Sequence, residues 1–375
     1  MIRTSDFFNI LKKNNIHFFT GVPDSLLKDI CSFITDEVSK DKHIIASNEG
    51  GAVGLAMGYH LVTGQVPLVY MQNSGFGNTI NPLLSLADKK VYSIPMILLI
   101  GWRGEPNVKD EPQHVKQGEV SEDLLKTLGV PYLIISENSA KYSDKISKAI
   151  TQIKETNEPL AILVRKGTFE PYSLKSKIKT NFDLNREEAI SKILEFLKDD
   201  DIVVGTTGKT SRELFELREV QGKDHSRDFL TVGGMGHANQ IALGIALSKP
   251  SREIYCFDGD GAILMHTGSL GIIGDLKPEN FKHIVFNNGA HDSVGGQPTI
   301  GFDISFSGLA SLFNYKSTYS VNNKKELLEV FSEFQKSKGP SLLEIKVNKG
   351  SRKDLGRPTI SPKENKLDFM NFLYS

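Results

Sequence analysis

The chain is poor in cysteine and tryptophan, with two of the first and one of the second among 375 residues, and its 45 Lys and Arg match its 45 Asp and Glu. Cys31 and Cys256 stand too far apart for metal-ligand or redox-dithiol spacing, so zinc modules and disulfide scaffolds are excluded. Both read as reduced, buried small hydrophobes. The absence of a basic excess removes the electrostatic footprint that a nucleic-acid or acidic-membrane partner requires. No apolar run approaches the roughly 20 residues that span a bilayer. The opening stretch MIRTSDFFNILKKNN has neither a continuous apolar segment nor a small-residue cleavage site, which argues against a signal peptide. A soluble, cytoplasmic protein is expected. There is no short-period repeat and no low-complexity tract. No G-x-G-x-x-G joins a first strand to a helix, which ranks a nicotinamide-dependent dehydrogenase low.

What the chain does have is alternation. Apolar runs PLVYMQ (67–72), PMILLIG (95–101), PYLIIS (131–136) and LAILVRK (160–166) predict strands in the first half. SEDLLKTL (121–128) and AKYSDKISKAITQI (140–153) predict helices between them. The second half repeats the pattern with DIVVGTTG (201–208), EIYCFDGDG (253–261), HIVFNNG (283–289) and SLLEIKV (341–347). Strands separated by helices favour parallel sheets covered on both faces. The expected fold is α/β, with two three-layer α/β/α domains at 1–168 and 186–375 joined by a polar linker at 169–185. A new helix is expected from about Asn185. The C-terminal run NKGSRKDLGRPTISPKENK is basic and turn-rich.

Gly259-Asp260-Gly261 follows the strand EIYCF after one residue, Asp258, and Asn287-Asn288 ends the next strand, 25 residues further on (262–286 intervening). Both therefore fall at C-terminal strand ends, where open α/β sheets bind ligands. A carboxylate and an amide oxygen are hard donors that suit Mg²⁺ together with phosphate oxygens. The glycines let backbone N–H groups approach a phosphate, with a helix expected to open at about Ala262. A lone GDG also occurs in plain turns. GDG joined to NN at this spacing, each after its own strand, is specific.

With these motifs the chain resembles the thiamine diphosphate (ThDP)-dependent 2-oxo-acid decarboxylase superfamily. The resemblance implies that Asp260, Asn288 and the carbonyl of Ala290 hold Mg²⁺, with Gly259, Gly261 and Ala262 beside the diphosphate. In SNEGGAVGLAMG it implies that Glu49 hydrogen-bonds N1′ of the cofactor's aminopyrimidine as the acid–base carboxylate, where its residue-level alternative is a first-turn glutamate favouring the helix dipole. In GGMGHANQIALG it implies that Gly234 and Met235 cradle the cofactor, Met235 as the wedge beneath it. Large members carry a middle domain between the two halves; here only a short linker stands there. The resemblance is therefore to the compact subgroup acting on phosphonopyruvate and sulfopyruvate, and it implies a homo-oligomer of at least two chains with the active site between subunits. GVPDS, DEPQH and TTGKTSREL favour the phosphonate over the sulfonate substrate, within phosphonate biosynthesis; Asn107 in GEPNVKD stands where the pattern would place Gly.

A substrate with a carboxylate and a phosphonate needs cations and N–H or O–H donors. Ser25, Arg103, Lys209, Ser211 and Arg212 are the candidates, with Arg352, Lys353 and Arg357 of the tail expected to close over the pocket. Each could equally be a surface charge. His114 and His291 are candidates for moving a proton, and Phe76 and Met235 for an apolar wall. Other oxo acids, carboligation, or a ThDP-binding subunit without turnover are the alternatives; the presence of Glu49 argues against the last.

Overall fold

The computed structural model describes residues 1–139, 141–176 and 179–374. The chain divides into two compact units, Met1–Lys177 with Ser293–Gln297, and Ile178–Asp292 with Pro298–Ser375. Each contains one six-stranded parallel sheet.

In the first unit the strands are β1 (Phe19–Gly21), β2 (His43–Ile45), β3 (Leu68–Gln72), β4 (Ile97–Gly101), β5 (Tyr132–Ile135) and β6 (Leu160–Val164), in the order β2-β1-β3-β4-β6-β5. The inner strands are apolar at nearly every position because both faces are covered. Leu68, Tyr70, Ile97, Leu99, Ile162 and Val164 enter one buried cluster. Their neighbours Val69, Met71, Leu98, Ile100, Ala161 and Leu163 enter another. This strict alternation across the pleat makes the three layers, and truncating one such Leu or Ile to Ala would cost roughly 2–5 kcal/mol.

The second unit contains β7 (Ile202–Gly205), β8 (Asp228–Leu230), β9 (Ile254–Gly259), β10 (Phe281–Asn287), β11 (Ser317–Val321) and β12 (Ser341–Lys346), in the order β11-β12-β10-β9-β7-β8. Val203, Tyr255, Phe257, Ile284 and Phe286 face one core. Ile202, Val204, Ile254, Cys256 and Val285 face the other. Eight of the twelve strands occupy the predicted apolar runs. The other four are β1, β2, β8 and β11: three have only three residues, and β11 (STYSV) is polar.

Strand order reverses between β1 and β3 in the first sheet and between β7 and β9 in the second. Such reversals open a crevice at the C-terminal strand ends, which is the ligand-binding position of open α/β sheets.

The 169–185 stretch is tied down at both ends. Phe169 is buried in the first unit's core, and Asp36 accepts from the Lys175 and Ser176 backbone N–H groups. Leu184 belongs to the second unit's core, and Asn185 caps the helix Arg186–Leu194 with a capping box. The basic C-terminal run is not a solvated tail throughout. Pro362–Tyr374 forms a helix whose Phe369 is buried, and Asn365 accepts from Leu230 N while donating to the Asp228 carbonyl. Among the described residues no helix is long and apolar enough to cross a membrane.

Candidate active site

At the C-terminal edge of the first sheet a polar cluster is assembled from the loops after β1, β3 and β4. Asp24 follows β1 and is fully buried. Its carboxylate accepts from Gln72 Nε2 at 2.6 Å and from Leu26 N at 2.9 Å. Burial nevertheless raises its pKa above the usual carboxylate value. The loop after β4 brings Arg103, whose Nε donates to Asp110 at 2.7 Å and whose NH1 donates to Ser25 Oγ at 2.8 Å; NH2 donates to Asp110 as well. His114 lies one turn further along this loop in the helix Pro112–Thr127, buried, with Nδ1 unpartnered. Desolvation, and then the Arg103 charge, lower its pKa to about 4, so the imidazole is neutral at pH 7. Asn107 in the same loop adopts φ 68°, a left-handed conformation that Asn tolerates in place of Gly.

Glu49 opens the helix Glu49–Thr63, capped by Asn48, whose side chain accepts from Gly51 N at 2.8 Å. Its carboxylate is buried and accepts from Asn78 Nδ2 at 2.7 Å. Gly75 makes this placement possible: a Cβ there would lie 2.1 Å from Glu49 Oε1. Phe76 packs into the apolar cluster with Ala52 and Val53, which makes it core rather than pocket wall.

At the edge of the second sheet, Gly259 ends β9 and a short helix opens at Asp260, two residues before the expected start. Asp260 is buried; Thr299 Oγ1 donates to Oδ2, and backbone N–H groups of Asn288 and Gly261 also reach the carboxylate. Met235 and His291 pack around Gly261, a Cβ on which would stand 3.6 Å from Met235 Cε and 3.1 Å from His291 Cε1. Gly236 brings its strandless turn against the same helix, where a Cβ would meet the Ala262 carbonyl at 3.0 Å. Asn287 ties the loop from within, donating to the Gly301 carbonyl at 2.6 Å and to Glu344 at 2.8 Å. Asn288 is buried too, its Oδ1 accepting from Ala290 N at 3.0 Å.

Two family descriptions match the chain. Residues 4–127 match the thiamine pyrophosphate enzyme N-terminal TPP binding domain, and residues 206–345 match the C-terminal TPP binding domain. The phosphonopyruvate decarboxylase of Streptomyces viridochromogenes is 30% identical, covering 100% of this chain and 95% of its own length. That of Streptomyces hygroscopicus is 30% identical, covering 99% of this chain and 94% of its own length. The sulfopyruvate decarboxylase of Methanosarcina acetivorans is 28% identical over 95% of this chain and 93% of its own length. The chain belongs to the thiamine pyrophosphate enzymes.

The residues present fit that cofactor. Among the described residues no lysine or arginine nitrogen lies within ion-pair distance of the Asp260 carboxylate, and desolvation raises its pKa to about 6. A buried carboxylate without an ion-pair partner, beside an amide oxygen and the Ala290 loop carbonyl (which accepts from Asp292 N at 3.0 Å and keeps a second lone pair), is a donor set suited to a hard cation. The predicted cofactor residues Gly234, Met235, Gly259, Gly261, Ala262 and Asn288 all gather at this strand edge.

The substrate candidates divide. Ser25 and Arg103 lie together in the first unit's polar cluster. Lys209 opens the helix after β7, and its Nζ donates to the Asp292 carbonyl at 3.2 Å beside the Asn288 loop. Ser211 and Arg212 are turned to backbone carbonyls of the chain itself. Ser211 Oγ donates to the Thr206 carbonyl at 2.8 Å inside the helix entry, and Arg212 donates to the Leu355 and Gly356 carbonyls. Arg352 pairs with Glu187, Glu216 and Asp354, so the 350–357 stretch is strapped to the helices of its own unit. Residues that periodicity and motif reading missed are Asp24, Gln72, Gly75, Asn78, Arg186, Asp292 and Thr299. For Asp24 the signal was its place in GVPDS, directly after an unrecognised strand.

Buried neutral imidazoles give a stability prediction. His43, bonded to Tyr70 Oη at 2.9 Å, also has its pKa lowered to about 4 by desolvation. The folded values lie below the unfolded value, so these groups stabilise the protein above pH 6.5 and lose that contribution as pH falls toward 4. His43 should account for up to about 2 kcal/mol lost between pH 7 and pH 5, and His114, with a more open edge, for less. Denaturant titration of wild type and His43→Asn at the two pH values measures this; equal losses in both proteins would remove His43 from the account.

Proposed function

We propose that this chain decarboxylates 3-phosphonopyruvate to phosphonoacetaldehyde and CO₂, using ThDP and Mg²⁺. The observation that carries the reading is end-to-end similarity to two phosphonopyruvate decarboxylases, spanning 99–100% of this chain and 94–95% of theirs. Sulfopyruvate is the second reading, favoured by a relative of nearly equal span. Asp260, Asn288 and the Ala290 carbonyl would hold Mg²⁺, and Glu49 would hold a proton at the aminopyrimidine. When bound, the thiazolium supplies a carbon nucleophile and an electron sink for the departing CO₂.

The chain's own residues supply the rest. The Asn78 hydrogen bond and the Gly75 contact fix the Glu49 carboxylate in a dry position, which an acid–base group requires. Asp24 and neutral His114 stand in one cluster as groups able to keep or pass a proton, and His291 packs beside the metal loop. Arg103 and Lys209 are the cations suited to the phosphonate and carboxylate. Ser25, hydrogen-bonded to Arg103, orients the first of these.

A homo-oligomer belongs to the same reading. Helix Glu49–Thr63 is apolar nearly all round, with Leu61 and Val62 at 63% and 87% exposure. Ile241 and Leu247 on Ala238–Ser248, and Ile272 and Leu276 on Ser269–Leu276, are exposed likewise. Apolar faces of this kind on helices that begin beside the cofactor residues are what a second copy would cover.

The test offers phosphonopyruvate, sulfopyruvate and pyruvate separately to purified protein with ThDP and Mg²⁺, and measures CO₂ release. Turnover of phosphonopyruvate alone, by particles of at least two chains in sedimentation, is expected. Preference for sulfopyruvate would keep the chemistry and replace the substrate; inert monomers that bind ThDP would leave a non-catalytic subunit.

A further inference from the structure

The metal loop carries a carboxylate that is not among the expected ligands. Asp292 lies four residues beyond Asn288, and its side chain is 8% exposed. Its Oδ2 accepts from Asn288 Nδ2 at 2.8 Å and from Gly350 N at 2.9 Å. Arg186 NH1 stands 3.9 Å from the same oxygen. Arg186 is itself held rigidly, because its Nε and NH2 donate to Glu213 at 2.7 and 2.8 Å in a buried, two-point pair. On the backbone side Lys209 Nζ donates to the Asp292 carbonyl at 3.2 Å.

An amide side chain has one acceptor edge and one donor edge, and a carboxylate can only accept. Asp292 on the donor edge, together with the Ala290 N–H on the acceptor edge, therefore selects which way the Asn288 amide faces. With Nδ2 bound to Asp292, Oδ1 is turned to the opposite edge, where it accepts from Ala290 N at 3.0 Å and keeps its second lone pair for a cation shared with Asp260. Without Asp292, only the Ala290 N–H bond would oppose a turn of the amide that presents N–H groups to the metal. We propose that Asp292 is a positioning residue for the metal site: it fixes the Asn288 amide with oxygen toward Mg²⁺, and is itself fixed by Arg186 and by the Gly350 N–H of the strap. Outer partners of this kind set the orientation of a metal's ligands and change its affinity when removed. The strap reaches the metal loop through Gly350, two residues from Arg352, whose pairs with Glu187 and Glu216 hold the segment in place. The basic tail is thereby joined to the metal loop through a backbone N–H.

This inference rests on Asn288 being a Mg²⁺ ligand, and the experiment separates the two. ThDP binding to the apoprotein is followed by calorimetry across a Mg²⁺ titration for wild type, Asp292→Ala, Asp292→Asn and Asn288→Ala. The expected result is a half-saturating Mg²⁺ concentration raised on the order of 10- to 100-fold in Asp292→Ala. Asp292→Asn, whose amide oxygen still accepts from Asn288, should recover most of that affinity despite the lost charge. A wild-type Mg²⁺ requirement in folded Asp292→Ala, beside a raised one in Asn288→Ala, overturns the positioning role and leaves the ligand intact. An unchanged requirement in Asn288→Ala as well overturns both. Equal weakening in Asp292→Asn and Asp292→Ala assigns the effect to charge and overturns the orienting role.

Discussion

Glu49→Gln is expected to lower CO₂ release by about 10²- to 10⁴-fold while leaving ThDP and Mg²⁺ binding within a few-fold of wild type. The substitution keeps the shape of the side chain. An amide oxygen can still accept from Asn78 Nδ2, and the helix entry keeps its Asn48 cap. What is lost is the ability to hold and return a proton at that position. The tight approach of Gly75 matters here, because a Cβ at 2.1 Å from Oε1 would push the carboxylate away. Gly75→Ala should therefore lower turnover too, by displacing the same group. Single-turnover CO₂ release together with calorimetric ThDP binding separates chemistry from binding. A Glu49→Gln enzyme retaining a tenth or more of wild-type turnover would remove Glu49 from the acid–base role. A variant that no longer binds ThDP would reassign Glu49 to the cofactor's attachment.

What was legible in the chain follows from which features are local. The inner strands could be read because burial on both faces demands an unbroken apolar run, as in ILLIG at β4 and LAILV at β6. β1 and β2 could not, since three residues carry no period, although β1 sits beside β3 at the centre of its sheet. The GDG and NN motifs were legible because each is a short loop fixed by its own strand end. Their supports were not: Thr299 reaches Asp260 across 39 residues, and Gly350 reaches Asp292 across 58. Sequence spacing says nothing about such pairings.

The same distinction explains the substrate candidates. Ser211 and Arg212 fall in a run after β7 that faces the ligand edge, so charge and placement both recommended them. Helix phase turns both toward backbone carbonyls. Ser211 turns back to the Thr206 carbonyl, and Arg212 reaches the backbone at 355–356, while Lys209 alone points to the metal loop. A residue at the right end of the sheet must also lie on the right side of its helix.

Asp260→Asn carries the largest expected change in cofactor binding. In wild type, ThDP with Mg²⁺ at about one hundred times Kd should stabilise the fold by about 2.7 kcal/mol. A metal site deprived of its carboxylate should bind on the order of a hundredfold more weakly, which cuts that stabilisation to roughly 0.4 kcal/mol at the same concentrations. The apoprotein should move the opposite way. Asp260 is 3% exposed and has no cation within ion-pair distance among the described residues, so its charge is a cost that the bound metal offsets. Replacing it by a neutral amide of equal size should raise apoprotein stability by about 1–3 kcal/mol, a site-specific gain in fold stability at the expense of function. Denaturant unfolding with and without ThDP and Mg²⁺ reads both effects in one series. A variant with lower apoprotein stability and an undiminished ligand-induced gain would show that the Asp260 carboxylate is a structural acceptor for Thr299 and the loop N–H groups, and that Mg²⁺ is held elsewhere. Opposite signs for the two states are what a carboxylate kept for a metal requires.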